Sequence, residues 1–242
     1  MRYRSLNLFG LKVSFRNFSE AAIIFRDIFL YRDYYFKSDN KSPLILDCGA
    51  HIGISVIYFK RLYPNSRIIA FEPDPVNFEL LTLNVKQNNL KKVMLVNSAL
   101  SDREGNLDLF TSTEKKSPWT WGASLEIKKW PGEKTKKAVK VRTEKLSKYI
   151  KGRVELVKLD IEGAETKVIN EIENKLQYVE KIVLEFHGLK SQKGNDLEKI
   201  VNLLQEHGFV CSFKQYGWGL PYGKIDRKDP FWLMVNCCKI DQ

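Results

Sequence analysis

From Pro43 onward, short apolar runs rich in β-branched residues alternate with stretches whose apolar positions recur at helical spacing. That alternation predicts a parallel sheet covered by helices, because each helical crossover returns the chain to run in the same direction. The runs predict strands over residues 44–47, 67–71, 93–97, 154–160 and 181–186, and the helical spacing predicts helices over 54–62, 75–88, 165–176 and 196–207. Pro75 suits a first helical turn, where the missing N–H costs nothing. Two further strand-like runs, 209–213 and 231–236, have only a glycine-rich connection between them (Gly217, Gly219, Gly223). With no helix to carry a crossover they should pair antiparallel, so a mostly parallel sheet ends in a hairpin, unlike the all-parallel sheet of a dinucleotide-binding dehydrogenase.

Two segments stand outside this alternation: residues 1–42, with a helix expected over 19–31, and an insert over 111–140. The chain is expected to divide into an N-terminal helical extension, 1–42, and one main domain, 43–242, that carries the insert. At 242 residues with 43% hydrophobic content, one elaborated core is the expectation. The apolar stretch Ala21 to Tyr31 is interrupted by Arg26 and Asp27 and is too short to span a bilayer. Cys48, Cys211, Cys237 and Cys238 show no C-x-x-C spacing and lie mostly in apolar runs, which suits reduced thiols in a cytoplasmic protein.

The net charge of +11 attracts anionic partners without choosing among them. Much of the excess sits in the insert, where lysines between Lys115 and Lys140 accompany Trp119, Trp121 and Trp130. A solvated loop, a lid, and a surface offered to nucleic acid are all compatible with that mixture.

Asp47-Cys48-Gly49-Ala50-His51-Ile52-Gly53 follows a buried strand and opens a helix. Glycine at 49 permits a tight turn and close approach of backbone to a ligand, and Gly53 permits close helix–strand packing. A dinucleotide fingerprint has glycine where this chain has Asp47. A carboxylate there repels pyrophosphate but can organise the turn and face the cationic amino group of a methionine moiety, which points to S-adenosyl-L-methionine. Glu72, at the end of the next strand and followed by Pro73, stands where a carboxylate accepts ribose hydroxyls. Adenine recognition is expected at Asn97, Ser98 and Ala99, where the third strand ends.

Lys158-Leu159-Asp160-Ile161-Glu162-Gly163-Ala164-Glu165 puts Asp160 at the mouth of the fourth strand, beside the first. A carboxylate there can take a proton from an attacking hydroxyl or orient it, with Glu162 assisting. Glu165, at a helix start, is expected to complement the helix dipole. Glu185 and His187 share one strand face by the period of two and complete an acid/base group. Three carboxylates and an imidazole can also bind a divalent ion, yet no spacing matches a dedicated metal motif, so the expectation is metal independence. His207, at a helix end before Gly208, reads as a cap.

At these residues the chain resembles the FkbM family of methyltransferases, through residues 46–53, Phe71-Glu72-Pro73, Asn97-Ser98-Ala99-Leu100-Ser101-Asp102 and residues 158–165. The resemblance runs from about Tyr35 to His187. It implies an α/β, Rossmann-like class I methyltransferase fold: a mostly parallel seven-stranded sheet with a C-terminal antiparallel hairpin and helices on both faces. It further implies O-methylation of a small-molecule, sugar or glycolipid hydroxyl. Asp47, Gly49, Gly53 and Glu72 match the family's cofactor positions, and Asp160, Glu162 and Glu185 fall in its acidic motifs. His51 stands where asparagine is common in such loops. RNA methylation through the basic insert, and a non-catalytic protein that binds S-adenosylmethionine or RNA, are the alternatives. The absence of an N-P-P-Y type motif after the fourth strand weakens methylation of base amines, and Ser117-Pro118-Trp119 reads as coincidence.

Overall fold

The computed structural model describes residues 3–8, 10–112, 136–188, 194–215, 218–220, 225–228 and 231–240. Its strands are β1 (Arg4–Leu8), β2 (Leu11–Phe15), β3 (Leu44–Cys48), β4 (Arg67–Phe71), β5 (Val93–Val96), β6 (Ala99–Leu100), β7 (Gly105–Ser112), β8 (Lys136–Glu144), β9 (Leu156–Leu159), β10 (Lys181–Gly188), β11 (Phe209–Gln215), β12 (Trp218–Leu220) and β13 (Phe231–Lys239). The α-helices are α1 (Phe18–Phe25), α2 (Ile54–Leu62), α3 (Pro75–Gln87), α4 (Glu165–Glu171) and α5 (Leu197–Glu206).

The main sheet has the order β12-β11-β13-β10-β9-β3-β4-β5. Strands β5, β4, β3, β9 and β10 are mutually parallel, and β13 enters antiparallel between β10 and β11. Seven of these strands are those the sequence predicts. The eighth, β12, adds a three-residue edge beside β11. A second sheet, β6-β8-β7, carries the ends of the insert as a hairpin, Gly105 opposite Thr143 out to Ser112 opposite Lys136. The body of the insert, including the three tryptophans and Ser117-Pro118-Trp119, lies outside the described residues.

Alternate residues of each central strand feed two cores. Leu46, Val157 and Leu184 join α4 and α5 on one face, while Ile45, Leu156 and Val183 join α2, α3 and the N-terminal segment on the other. The same period of two aligns Asp47, Lys158, Asp160, Glu185 and His187 with the face that the N-terminal segment covers. That segment is not only helical. A β1–β2 hairpin precedes α1, which continues into a π-turn, Arg26–Leu30. Val13, Phe15, Ile28, Tyr34 and Phe36 are buried in the shared core.

Local signals account for the helix ends. Asn17, Asp74 and Asp196 accept backbone N–H bonds at the starts of α1, α3 and α5, and Pro75 occupies the first turn of α3. His207 closes α5 with its Nδ1 2.9 Å from the Leu203 carbonyl. The helix expected over 165–176 ends at Glu171 and gives way to a 3₁₀ segment, Glu173–Tyr178. One cysteine expectation is corrected: Cys211 and Cys237 form a disulfide, whereas Cys48 and Cys238 are free. The register explains it, because β11 and β13 set the two cysteines directly opposite with Cα atoms 4.1 Å apart. Among the described residues no helix is long and apolar enough to cross a membrane.

Candidate active site

The carboxyl ends of β3, β4, β9 and β10 lie side by side at one end of the sheet, the end where ligands bind in open α/β folds. Gly49 takes φ +84° and packs against the neighbouring strand end; a Cβ there would lie 1.8 Å from the Asp160 carbonyl oxygen. Its N–H and that of Ala50 both donate to the Phe71 carbonyl, at 3.0 and 2.8 Å, which ties the loop to the end of β4. Gly53, at φ +87°, starts α2 against Leu81. His51 also has positive φ, +50°. Its position between the two glycines lets its backbone N–H point at Glu72 Oε2, 2.8 Å away.

Asp47 is fully buried beneath this loop. Its Oδ2 accepts the Ser55 hydroxyl at 2.6 Å, and its Oδ1 lies 3.5 Å from Lys158 Nζ. Burial raises its pKa, opposed by Lys158 and Ser55. These contacts join Asp47 to the start of α2 and to the lysine that bonds the Gly49 carbonyl.

Glu72 is 5% exposed, with Oε1 accepting the Asp74 N–H at 2.9 Å. Burial pushes its pKa up to about 8, against the pull of the Asp74 and His51 amides. Asn97 fixes it from behind, donating from Nδ2 to the Glu72 carbonyl at 2.7 Å and towards that of Pro73 at 3.3 Å. Ser98 and Ala99 are buried where β5 passes into β6, close behind Asn97 in sequence.

The acids singled out at the ends of β9 and β10 come together around Lys158 and His187. Asp160 Oδ2 lies 3.2 Å from Lys158 Nζ. His187 Nε2 lies 3.6 Å from Glu162 Oε1 and 3.7 Å from Glu185 Oε1. His187 Nδ1 meets Glu165 Oε1 at 3.1 Å, and Glu165 Oε2 accepts from Asn195 at 2.6 Å. Glu165 therefore does more than complement a helix dipole; it orients the imidazole. Burial disfavours charge on His187, but Glu162, Glu165 and Glu185 overcome it and raise its pKa to about 10. Glu185 is pushed up to about 8 by burial and by Asp160, while His187 opposes the shift. Asp160 moves the other way: despite burial, Lys158, His187 and the Tyr34 hydroxyl hold it below its ordinary value. Donor atoms of Asp160, Glu162 and His187 all lie within 4.8 Å of one another, a set able to hold a divalent ion.

Two members of the site carry no role in the sequence reading. Lys158 is 1% exposed and donates to the Gly49 carbonyl at 2.6 Å while facing Asp47 and Asp160. Burial opposes its charge, and the two aspartates more than restore it. A lone lysine within an apolar run between strand neighbours was the available signal. Tyr34, from the N-terminal segment, donates its hydroxyl to Asp160 Oδ2 at 3.0 Å and lies 3.4 Å from Glu185 Oε2. Nothing in its local sequence marks it.

A sheet whose central strands run β5-β4-β3-β9-β10 and whose antiparallel β13 enters beside β10, with a glycine loop after β3 and acids after β4 and β9, is the class I methyltransferase architecture. The Methyltransferase FkbM domain profile matches residues 47–211, and the chain belongs to that family. It is 29% identical over 229 residues to methyltransferase sdnD of Sordaria araneosa, covering 82% of this chain and 86% of that protein. It is 24% identical to the 31-O-demethyl-FK506 methyltransferase FkbM of Streptomyces tacrolimicus, covering 85% and 88%. Among solved structures, it matches the methyltransferase FkbM of Methylobacillus flagellatus with a TM-score of 0.56 and 14% identity, over 87% of this chain and about half (47%) of that one.

Proposed function

We propose that this methyltransferase uses S-adenosylmethionine and methylates a hydroxyl group of a small molecule, sugar or glycolipid. The observation that carries the cofactor reading is Glu72: each carboxylate oxygen takes a single backbone N–H, so half of its acceptor capacity is left for a ribose. The Asp47–Gly53 loop supports it, held in place beside Glu72 by Ser55 bonding Asp47, Lys158 bonding the Gly49 carbonyl and His51 bonding Glu72. When bound, S-adenosylmethionine supplies an electrophilic methyl group that an oxygen can attack in line with the leaving sulfur.

Everything else falls to the chain's own groups. Asp160, kept ionised by Lys158, orients the acceptor hydroxyl, and Glu185, the weaker acid of the two, takes its proton. The relative from Streptomyces supports an oxygen acceptor, since its name specifies a 31-O-demethyl substrate. We further propose that no metal is needed, since the spacing of these acids and His187 along the chain matches no dedicated metal motif.

Incubation with labelled S-adenosylmethionine and separate pools of lipids, small metabolites and RNA tests this reading. Label should enter the lipid or small-metabolite pool, survive added chelator, and fall by about 10²-fold or more in Glu185→Gln, the size of a lost positioned base. Label confined to RNA, or full activity in both Asp160→Asn and Glu185→Gln, contradicts it.

The pH dependence has a definite sign. Glu72 and Glu185 both have raised pKa values near 8, so each is neutral below that value and ionised above it. Cofactor affinity and transfer rate should therefore rise with pH, each by about tenfold between pH 7 and pH 9. Folding stability of the unliganded chain should move oppositely, falling as pH climbs from the ordinary glutamate value through about 8.

A further inference from the structure

The N-terminal segment lies outside residues 47–211, the part matched by the family profile, yet it reaches the site at three places. At the cofactor loop, Asn84 bonds both the Ser14 carbonyl (2.9 Å) and the Ile52 carbonyl (2.7 Å), which fastens β2 to the loop. Beside it, Glu20 of α1 lies 3.6 Å from His51 Nε2. At the reacting end the contact is Tyr34, whose hydroxyl reaches Asp160 and Glu185.

Tyr34 is held from both directions along the chain. Asp33 pairs with Lys214, and the Lys37 carbonyl accepts Lys181 Nζ at 2.9 Å. Ser38 donates its N–H to the Tyr63 hydroxyl at 2.8 Å, and Asn40 donates to Glu155 at 2.7 Å. The neighbouring Tyr35 is 44% exposed, whereas Tyr34 is 6% exposed, with Lys158 Nζ 5.0 Å from its ring. Packing alone asks only for a ring at this position. The hydroxyl adds a donor that faces two carboxylates on adjacent strands, β9's end and β10.

We propose that Tyr34 is a positioning residue for methyl transfer, its phenol holding Asp160 and Glu185 as one hydrogen-bonded pair, so that the N-terminal segment forms part of the reacting end. The proposal rests on the reading of those two carboxylates as the groups that meet the acceptor. The phenol has one proton to donate and lies closer to Asp160, the ionised partner, which leaves Glu185 to receive the proton from the acceptor. Burial, reinforced by Asp160, Glu185 and Asp47, raises the pKa of Tyr34 well above its ordinary value, so it remains a donor throughout the working pH range. The charges facing the pair are Lys158 from β9, His187 from β10, Glu162 from the turn after β9, and Asp47 from β3.

A hydrogen bond to an ionised carboxylate favours the ionised form, so removing it moves the titration midpoint up. The test is a carbon-13 carboxyl titration by NMR of the full chain, with the two signals assigned by their loss in Asp160→Asn and Glu185→Gln. In Tyr34→Phe the Asp160 midpoint should rise by about one pH unit. Tyr63→Phe removes a hydroxyl that anchors the same segment, through Ser38 and the Phe36 carbonyl, without touching either carboxylate, and should leave both midpoints in place. Should Tyr34→Phe fail to fold, 3-fluorotyrosine at position 34, a stronger donor, should move the Asp160 midpoint down.

An unmoved Asp160 midpoint in folded Tyr34→Phe, or an equal rise in Tyr63→Phe, would overturn the proposal. Neither cofactor nor acceptor enters the titration, so that failure leaves the transfer reading intact. Undiminished transfer by Asp160→Asn and Glu185→Gln would instead remove the reaction that Tyr34 serves even where the Asp160 midpoint moves.

Discussion

Gly49→Ala should abolish accumulation of folded protein, while Gly152→Ala should leave it unchanged. The contrast isolates the cause. Gly152 has open space around it, whereas a Cβ at Gly49 would stand 1.8 Å from the Asp160 carbonyl oxygen and 2.9 Å from its carbon. Both contacts are with backbone, so no side chain can turn aside. Gly49 also sits at φ +84°, which costs a residue with a Cβ about 1 kcal/mol or more by itself. Relieving the overlap means parting β3 from β9 where Asp160 N donates to the Cys48 carbonyl at 3.1 Å, and the total should exceed about 4 kcal/mol. Chemical denaturation measures it. A stable, cooperatively unfolding Gly49→Ala protein would show that the loop and the Asp160 strand end are not packed as described.

Lys158→Met should be the next most damaging change, and it should strike stability and the site together. The ammonium lies in a fully buried position between Asp47 and Asp160 and holds the Gly49 carbonyl at 2.6 Å. Methionine fills similar volume but leaves buried Asp47 and half-buried Asp160 without their cation, a change worth about 3–5 kcal/mol. In a chain of this length that corresponds to a fall in melting temperature of roughly 6–20 °C. Linkage adds a signature. Lys158 lowers the pKa of both aspartates, so in the variant Asp47 and Asp160 should take up protons at higher pH, and the deficit should shrink as pH falls and neutralises them. Thermal melts across acid to neutral pH read both effects. A deficit that does not change with pH would assign the lysine to packing rather than charge.

The frame of this fold is legible in the sequence because it rests on local periodicity. Strands β3, β4 and β9 are mainly apolar on both faces, as central parallel strands must be, and Asp74-Pro75 and Asp196 mark helix starts. The terminal hairpin follows from the lack of any helix between β11 and β13. The site is legible as far as loops at strand ends carry it, since topology brings Asp47, Glu72, Asp160 and Glu185 to one end of one sheet.

What escapes the sequence depends on register and on contacts distant along the chain. The disulfide follows from Cys211 lying opposite Cys237, a pairing fixed by the antiparallel register of two strands. Hairpin β1–β2 is largely exposed along β1 and gains its place through Ser14 and Asn84, 70 residues apart. Lys158 reads as a polar interruption until the sheet sets it between carboxylates. Tyr34 belongs to a segment without helical or strand periodicity, and only the folded chain shows what its hydroxyl meets.

The central claim is that the Asp47–Gly53 loop and Glu72 form a seat for S-adenosylmethionine. Titration calorimetry of the full chain with that cofactor, on the parent protein and on Glu72→Ala, tests it most directly. At pH 9, where Glu72 is ionised, its two ribose bonds are charge-assisted, about 1.5–3 kcal/mol each, so the account predicts saturable one-site binding by the parent and affinity weaker by about a hundredfold or more in the variant. Absence of binding by the folded parent, or equal affinity in folded Glu72→Ala, would contradict it.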